Sequence, residues 1–149
     1  MVNDAIAYAA KKNVLVVQAA GNNHLNIDTI AYYPTGRDAH NKAFNNFIRV
    51  GASNMKGKLS ALSNYGSTTV DLLAPGERIA SVFMNDRYEL SQGTSVATPI
   101  VSAVAALLKS CFPKLKAKQI KHILKATVNQ DTDGVIDVLA AVKKAQKKQ

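Results

Sequence analysis

The stretch Ser91-Gln92-Gly93-Thr94-Ser95-Val96-Ala97-Thr98-Pro99 runs straight into Ile100-Val101-Ser102-Ala103-Val104-Ala105-Ala106-Leu107-Leu108. A tight Gly-Thr-Ser turn is thus followed by a helix that is apolar nearly all round. Such a helix is expected to be buried on most faces, which makes it the central helix of an α/β domain. Ser95 falls in its first turn, where free backbone N–H groups and the helix dipole stabilise negative charge. A nucleophilic serine needs that setting, because attack on a carbonyl creates an oxyanion beside it. Serine and threonine also begin many helices for purely local reasons. On Gly-Thr-Ser alone, an N-cap is the simpler explanation.

The rest of the composition narrows the class. The chain has 149 residues, 47% hydrophobic and 19% charged, the balance of a globular domain able to bury a core. No apolar run reaches the ~20 residues that span a bilayer. The start, Met1-Val2-Asn3-Asp4-Ala5-Ile6, lacks the basic-then-apolar order of a secretory signal. A lone cysteine, Cys111, excludes an internal disulfide and a multi-cysteine zinc site, and it reads as a small core residue. The formal charge of +9 suggests nucleic acid or an anionic surface. Its lysines cluster at Lys114, Lys116, Lys118, Lys121 and Lys125 and again at Lys143, Lys144, Lys147 and Lys148, without interleaved aromatics for stacking on bases. They read as solvated faces, so no nucleic-acid partner is expected.

Outward from the Gly-Thr-Ser turn, residues 2–12 carry apolar side chains at helical spacing. Val14 to Ala19 read as a buried parallel strand. Gly21-Asn22-Asn23 is a turn at its C-terminal end, where open α/β sheets place ligands. Residues 24–46 are loop-rich. Strands are expected over 47–53 and 70–73, a short one over 59–64, and a hairpin over 79–83 and 88–91 that delivers the chain to Gly93. Helices are expected over 116–128, with Lys118, Lys121, His122 and Lys125 on its polar face, and over 135–144. The Lys- and Gln-rich end is expected to fray.

Three blocks carry a resemblance. Gly93-Thr94-Ser95-Val96-Ala97-Thr98-Pro99 resembles the nucleophile segment of the subtilisin-like serine proteases. Val14-Leu15-Val16-Val17-Gln18-Ala19-Ala20-Gly21-Asn22-Asn23 is similar to the strand and turn that hold that family's oxyanion-hole asparagine. Val70-Asp71-Leu72-Leu73-Ala74-Pro75-Gly76 matches the stretch between them. The resemblance implies an α/β fold, a mostly parallel sheet flanked by helices, present as the C-terminal half of a catalytic domain. Residues 1–142 would be that portion and residues 143–149 a tail. An aromatic–proline pair at Tyr33-Pro34 implies a cis peptide.

What the resemblance implies chemically is a serine endopeptidase. Ser95 attacks the scissile carbonyl, and the oxyanion is held by the Ser95 N–H and the Asn22 amide. Ala19, Ala20 and Gly21 line the pocket for the substrate side chain preceding the cut, and Gly93 and Thr94 contact substrate. By its own chemistry Asn22 is equally a turn residue.

A serine hydroxyl needs a base, and the base an orienting carboxylate. The family supplies both ahead of its oxyanion asparagine, in the order Asp, His, Ser. Ahead of Asn22 this chain has no histidine, and Asp4 is the only acid. His24, His40 and His122 read as loop or surface residues. The expectation is therefore a fragment that lacks its Asp and His, is inactive and poorly soluble alone, and depends on a missing N-terminal half. A non-catalytic scaffold of the same fold is the alternative; a basic nucleic-acid-binding module rests on the lysines alone. No cofactor is expected: calcium occurs in the family, but Asp28, Asp38, Asp131 and Asp133 lack a ligand spacing. The resemblance implies a secreted or cell-envelope protein, with no signal peptide in these residues.

Overall fold

A computed structural model describes residues 1–148. Helix α1 (Val2–Lys11) leads to strand β1 (Val16–Ala19), followed by β2 (Phe47–Ser53) and β3 (Leu72–Pro75). All three strands are parallel in the order β1-β2-β3, with Val16 opposite Phe47 and Val50 opposite Leu72. Parallel strands require crossover connections, and the long 20–46 and 54–71 segments make them. The antiparallel hairpin β4 (Ile79–Phe83) and β5 (Arg87–Ser91) follows. Its turn holds Asn85 and Asp86 at positive φ, which their short polar side chains tolerate. Helices α2 (Thr94–Cys111), α3 (Ala117–Lys125) and α4 (Val138–Gln146) complete the chain.

The core lies between the sheet and the helices. Ile48, Val50, Ala52, Leu72 and Ala74 from the strands meet Ala97, Val101, Val104 and Leu108 of α2, with Ile120, Ile123 and Leu124 of α3 behind. Every residue of β2 is buried, as befits a central strand. Tyr33-Pro34 is cis.

Several expectations change. The central helix is not covered on most faces. Its buried side chains are Thr94, Ala97, Val101, Val104, Ala105 and Leu108, while Ala103, Ala106 and Leu107 face outward. It has the length and mean hydropathy (1.4) of a membrane-crossing helix, yet its buried stripe packs on β1, β2 and β3 as a core helix does. Cys111 is exposed, because Phe112 takes the next inward position of that stripe. β1 is an edge strand and only half-buried. Residues 59–64 form no strand. Ser53 makes a single bridge to Leu59, and the serines that follow close a turn on Ala52.

The lysine face is also more structured than expected. The half-buried Lys121 Nζ donates to the carbonyl of Phe47 at 2.5 Å and stands 3.6 Å from the Asp71 carboxylate. Lys125 reaches the same carboxylate at 2.6 Å. Burial lowers the Lys121 pKa, and the Asp71 charge opposes it. Helix α4 extends through Gln146 and buries Ala145, so part of the expected tail is packed helix; Gln149 lies outside the described residues.

Candidate active site

Strand β1 ends at Ala19, and the chain turns through Ala20-Gly21-Asn22 at the C-terminal rim of the parallel sheet. The same rim receives the end of β3 and then Gly76. The Gly93 N–H donates to the Gly76 carbonyl at 2.8 Å. A Cβ on Gly76 would lie 2.5 Å from Ala52 Cβ, so no larger residue lets these loops close. Gly93, at φ +133, turns the chain into α2.

At this junction Gly21 and Asn22 meet Thr94, which stands 72 or more positions further along the sequence. The Thr94 N–H and the Thr94 hydroxyl both donate to Asn22 Oδ1, each at 2.9 Å. Thr94 Oγ1 also accepts from the Gly21 N–H at 3.1 Å. With its oxygen held by two donors, the Asn22 carboxamide has its NH₂ turned away from Thr94. A Cβ built on Gly93 would sit 3.0 Å from Asn22 Nδ2 and 3.4 Å from Ser95 Oγ. The amide donor and the serine hydroxyl therefore border the same glycine. The Ser95 N–H donates no hydrogen bond among the described residues, as the second N–H of a helix commonly does not. Ser95 itself is exposed. Two neutral donors beside an accessible hydroxyl form an arrangement able to receive a carbonyl oxygen as it gains charge.

The turn that carries Asn22 is held from beneath by Asn64, a residue the sequence reading passed over. Asn64 is fully buried. Its Oδ1 accepts from the N–H groups of Asn23 (3.1 Å) and Leu25 (2.9 Å), and its Nδ2 donates to the Ala20 carbonyl at 2.9 Å. Its own N–H donates to the Gly21 carbonyl at 2.8 Å. Asn64 precedes Tyr65-Gly66 and looks like any turn residue; nothing local marks partners some 40 positions away.

The pocket residues need correction. Ala20 and Thr94, expected to meet substrate, are 0% and 1% exposed. Thr94 is a positioning residue for Asn22 and Gly21, and Ala20 packs inward. Gly93 is buried, while Ala19 and Gly21 are half-buried and reachable.

None of the three histidines has its ring hydrogen-bonded to a carboxylate among the described residues. His24 packs on Tyr65 with ring centroids 5.4 Å apart. His40 lies in the exposed loop bridged from Arg37 to Ala43, and His122 is exposed on α3.

Three of the candidate calcium ligands, Asp28, Asp38 and Asp133, already accept hydrogen bonds from the protein. Asp28 accepts from the N–H and hydroxyl groups of Ser67, Thr68 and Thr69. Burial would raise its pKa, but these six donors outweigh it and hold the carboxyl far below its usual range. Donors that point hydrogens at both oxygens leave no lone pairs free for a metal. Asp38 and Asp133 likewise accept backbone N–H groups, and no cluster of three metal-ligating side chains occurs among the described residues.

Comparison with known proteins identifies the family of the chain. The profile of the Subtilase family (Peptidase_S8) matches residues 1–145. The chain is 40% identical over 107 residues to the thermophilic serine proteinase of Bacillus sp. (strain AK1), covering 72% of this chain and 24% of that protein. It is 39% identical over 107 residues to the major intracellular serine protease of Bacillus subtilis (strain 168), covering 72% and 32%. Among solved structures, the prenylagaramide maturation protease PagA superposes with a TM-score of 0.79 at 30% identity, covering 95% of this chain and 54% of that one. A structure of the subtilase cytotoxin SubAB assembly gives a TM-score of 0.81 at 25% identity over 98% and 53%. The chain thus spans about a quarter to a third of these curated relatives' length, and about half of the solved chains.

Proposed function

This chain belongs to the subtilase family, and from that premise we propose that it carries the nucleophile and the oxyanion donors of a serine endopeptidase acting on peptides or proteins. Ser95 Oγ forms the bond to the scissile carbonyl carbon as its proton passes to a base. The carbonyl π electrons move to oxygen, which the Ser95 N–H and Asn22 Nδ2 then hold. Collapse of the intermediate expels the amine, which takes up the proton, and leaves an acyl-serine for water to hydrolyse. The observation that carries this reading is the carboxamide of Asn22, fixed by two hydrogen bonds from Thr94 and bordering the same glycine as Ser95.

The base and its carboxylate belong, in this reading, to a segment outside these 149 residues. The surface offers a seat for such a segment. Val17 on the edge strand and Leu15 just before it, with Ala105, Ala106 and Ile120, line a groove of about 290 Å³. Without that segment the chain is an inactive half-site. Export is part of the proposal only as a family trait, and one of the relatives above is intracellular by name.

A fluorophosphonate probe tests the reading on the assembled protein, this chain together with the segment that supplies the base. Labelling is expected, and it is lost in Ser95→Ala. Absence of labelling in the assembled protein would favour the second reading, a scaffold that keeps the fold without the chemistry. The absence of a ring–carboxylate pair among the described residues is the observation behind that alternative.

A further inference from the structure

Where the 35–37 loop and β2 meet α3, a cavity of about 100 Å³ opens that the chemistry of Ser95 does not use. Four cationic side chains line it, Arg37, Arg49, Lys121 and Lys125, and Asp71 is the only acid in its wall. That carboxylate is engaged on both oxygens: Oδ2 accepts the Arg49 N–H at 2.9 Å, and Oδ1 accepts from Lys125 Nζ at 2.6 Å. The Arg49 side chain, 2% exposed, uses its donors unevenly. Nε and Nη2 donate to Gln18 Oε1, each at 3.3 Å, and Nη2 also reaches the carbonyls of Tyr32 at 3.3 Å and Pro34 at 2.5 Å. Nη1 has no partner among the described residues. The guanidinium is a rigid planar fork, so fixing Nε and Nη2 also fixes where Nη1 points. Asn46 Oδ1 is the only fully enclosed side-chain polar atom without a partner among the described residues. Nη1 therefore keeps open space before it, and the cavity that Arg49 lines is that space.

Further donors border the same cavity. Arg37 spends one N–H of Nη1 on the Asn41 carbonyl at 2.9 Å, and its other guanidinium donors are unpaired among the described residues. Lys125 spends one of its three on Asp71. Burial weakens the hold of Arg49 on its proton, the Asp71 charge opposes that, and the Arg37 charge adds to it. Desolvated charge is favourable only when matched, and one carboxylate among four cations leaves it unmatched.

We propose that this cavity binds a single phosphate-class oxyanion, held by Arg49 Nη1, the Arg37 guanidinium and Lys125 Nζ. Guanidinium groups meet such an oxyanion with charge-assisted, two-pronged hydrogen bonds, and the cavity has room for one such group. The bound anion offsets the positive charge that Asp71 leaves over, and it ties the 35–37 loop to β2 and α3. None of these side chains belongs to the Ser95–Asn22 junction, so the site stands apart from the protease reading.

The test is phosphorus NMR of inorganic phosphate titrated against the assembled protein, at constant ionic strength with chloride as the balancing salt. Three charge-assisted hydrogen bonds predict saturable line broadening with a Kd on the order of 1 mM or below. Arg37→Gln should weaken binding about tenfold or more, while Lys56→Gln, an exposed lysine outside the cavity, should leave it unchanged. Arg49→Gln should abolish binding; a thermal melt checks that this variant is folded, and Arg37→Gln carries the test if it is not. Methyl phosphate separates two sources of the group: binding as tight as that of phosphate points to a phosphate carried on a larger molecule, and its exclusion points to the free ion. Absence of saturable broadening, or undiminished binding in Arg37→Gln, would overturn the proposal. Equal weakening by Lys56→Gln would also overturn it, as the mark of an adventitious ion only. Ser95→Ala should bind phosphate as the native protein does, so either reading can fail without the other.

Discussion

Asn22 sits in an exposed turn, and an amide there would normally sample several rotamers. Thr94 removes that freedom by giving its oxygen two donors from a different element, so the NH₂ is in place before any charge develops. Removing such a donor lowers turnover by about 10²–10³, a figure that comes from subtilisin, a member of this same family. Asn22→Ala is expected to fall in that range with little change in KM, as read from steady-state kinetics of the assembled protein. Thr94→Val keeps the N–H bond and loses the hydroxyl, so the drop should be smaller, roughly fivefold, in keeping with one hydrogen bond of about 1 kcal/mol. Equal losses for the two variants would show that Thr94 does more than orient the amide. Asp28 allows a separate test on the folded chain. Its carboxyl is held below its usual range in the folded state, so its contribution to stability is complete above about pH 3.9 and is lost as the pH falls from there through the folded value. Asp28→Asn should lose stability near neutral pH and show a flatter decline of the urea midpoint below pH 4. An acid limb as steep as the native one would refute this.

Among the elements, β2 and α3 are locked together by charge as well as by packing. Asp71 accepts the Arg49 N–H at 2.9 Å and faces both Lys121 and Lys125. Asp71 and Lys121 are 9% and 18% exposed, so deleting the carboxylate strands a largely desolvated ammonium. Asp71→Ala is expected to cost about 3 kcal/mol in urea unfolding; a loss below about 1 kcal/mol would mean that solvent screens the pair. The spacing of Ile120, Ile123 and Leu124 predicted which face of α3 turns inward, and the structure buries all three. It did not predict Lys121, whose stem lies on that helix's flank and whose head ends on strand carbonyls. A lysine can cover apolar surface with its methylenes while its charge finds a distant partner, and a helical wheel holds no information about that partner. The hairpin shows the same limit. Its strands and turn were legible from alternation and Asn85-Asp86, but Val82 and Tyr88 stand 73% and 78% exposed on one face.

The whole molecule presents exposed apolar surface beside its core helix. Leu107 is 45% exposed on the outer face of α2, and the free edge of β1 lies beside the groove next to it. The isolated chain is expected to bind the dye ANS and to self-associate at micromolar concentration. Leu107→Glu should reduce dye binding without lowering the unfolding free energy in urea by more than about 0.5 kcal/mol, the usual range for a surface change. A monomer with a sharp thermal transition and no dye uptake would show the exposed face to be self-sufficient. By itself the sequence determined the family, the parallel α/β architecture, the order of strands and helices, and the pairing of Ser95 with Asn22 as candidates. Those features are written in local runs: β-branched strands, a Gly-Thr-Ser turn, an apolar helix, and three blocks in a set order. Only the tertiary structure decided that Thr94 aims the amide, that Asn64 braces its turn, that Tyr32 stands against Gly21, and that one side of α2 is bare. Each depends on groups brought together across roughly 10 to 75 positions of chain, and contacts at that separation are set by how the layers pack rather than by any residue's neighbours in sequence.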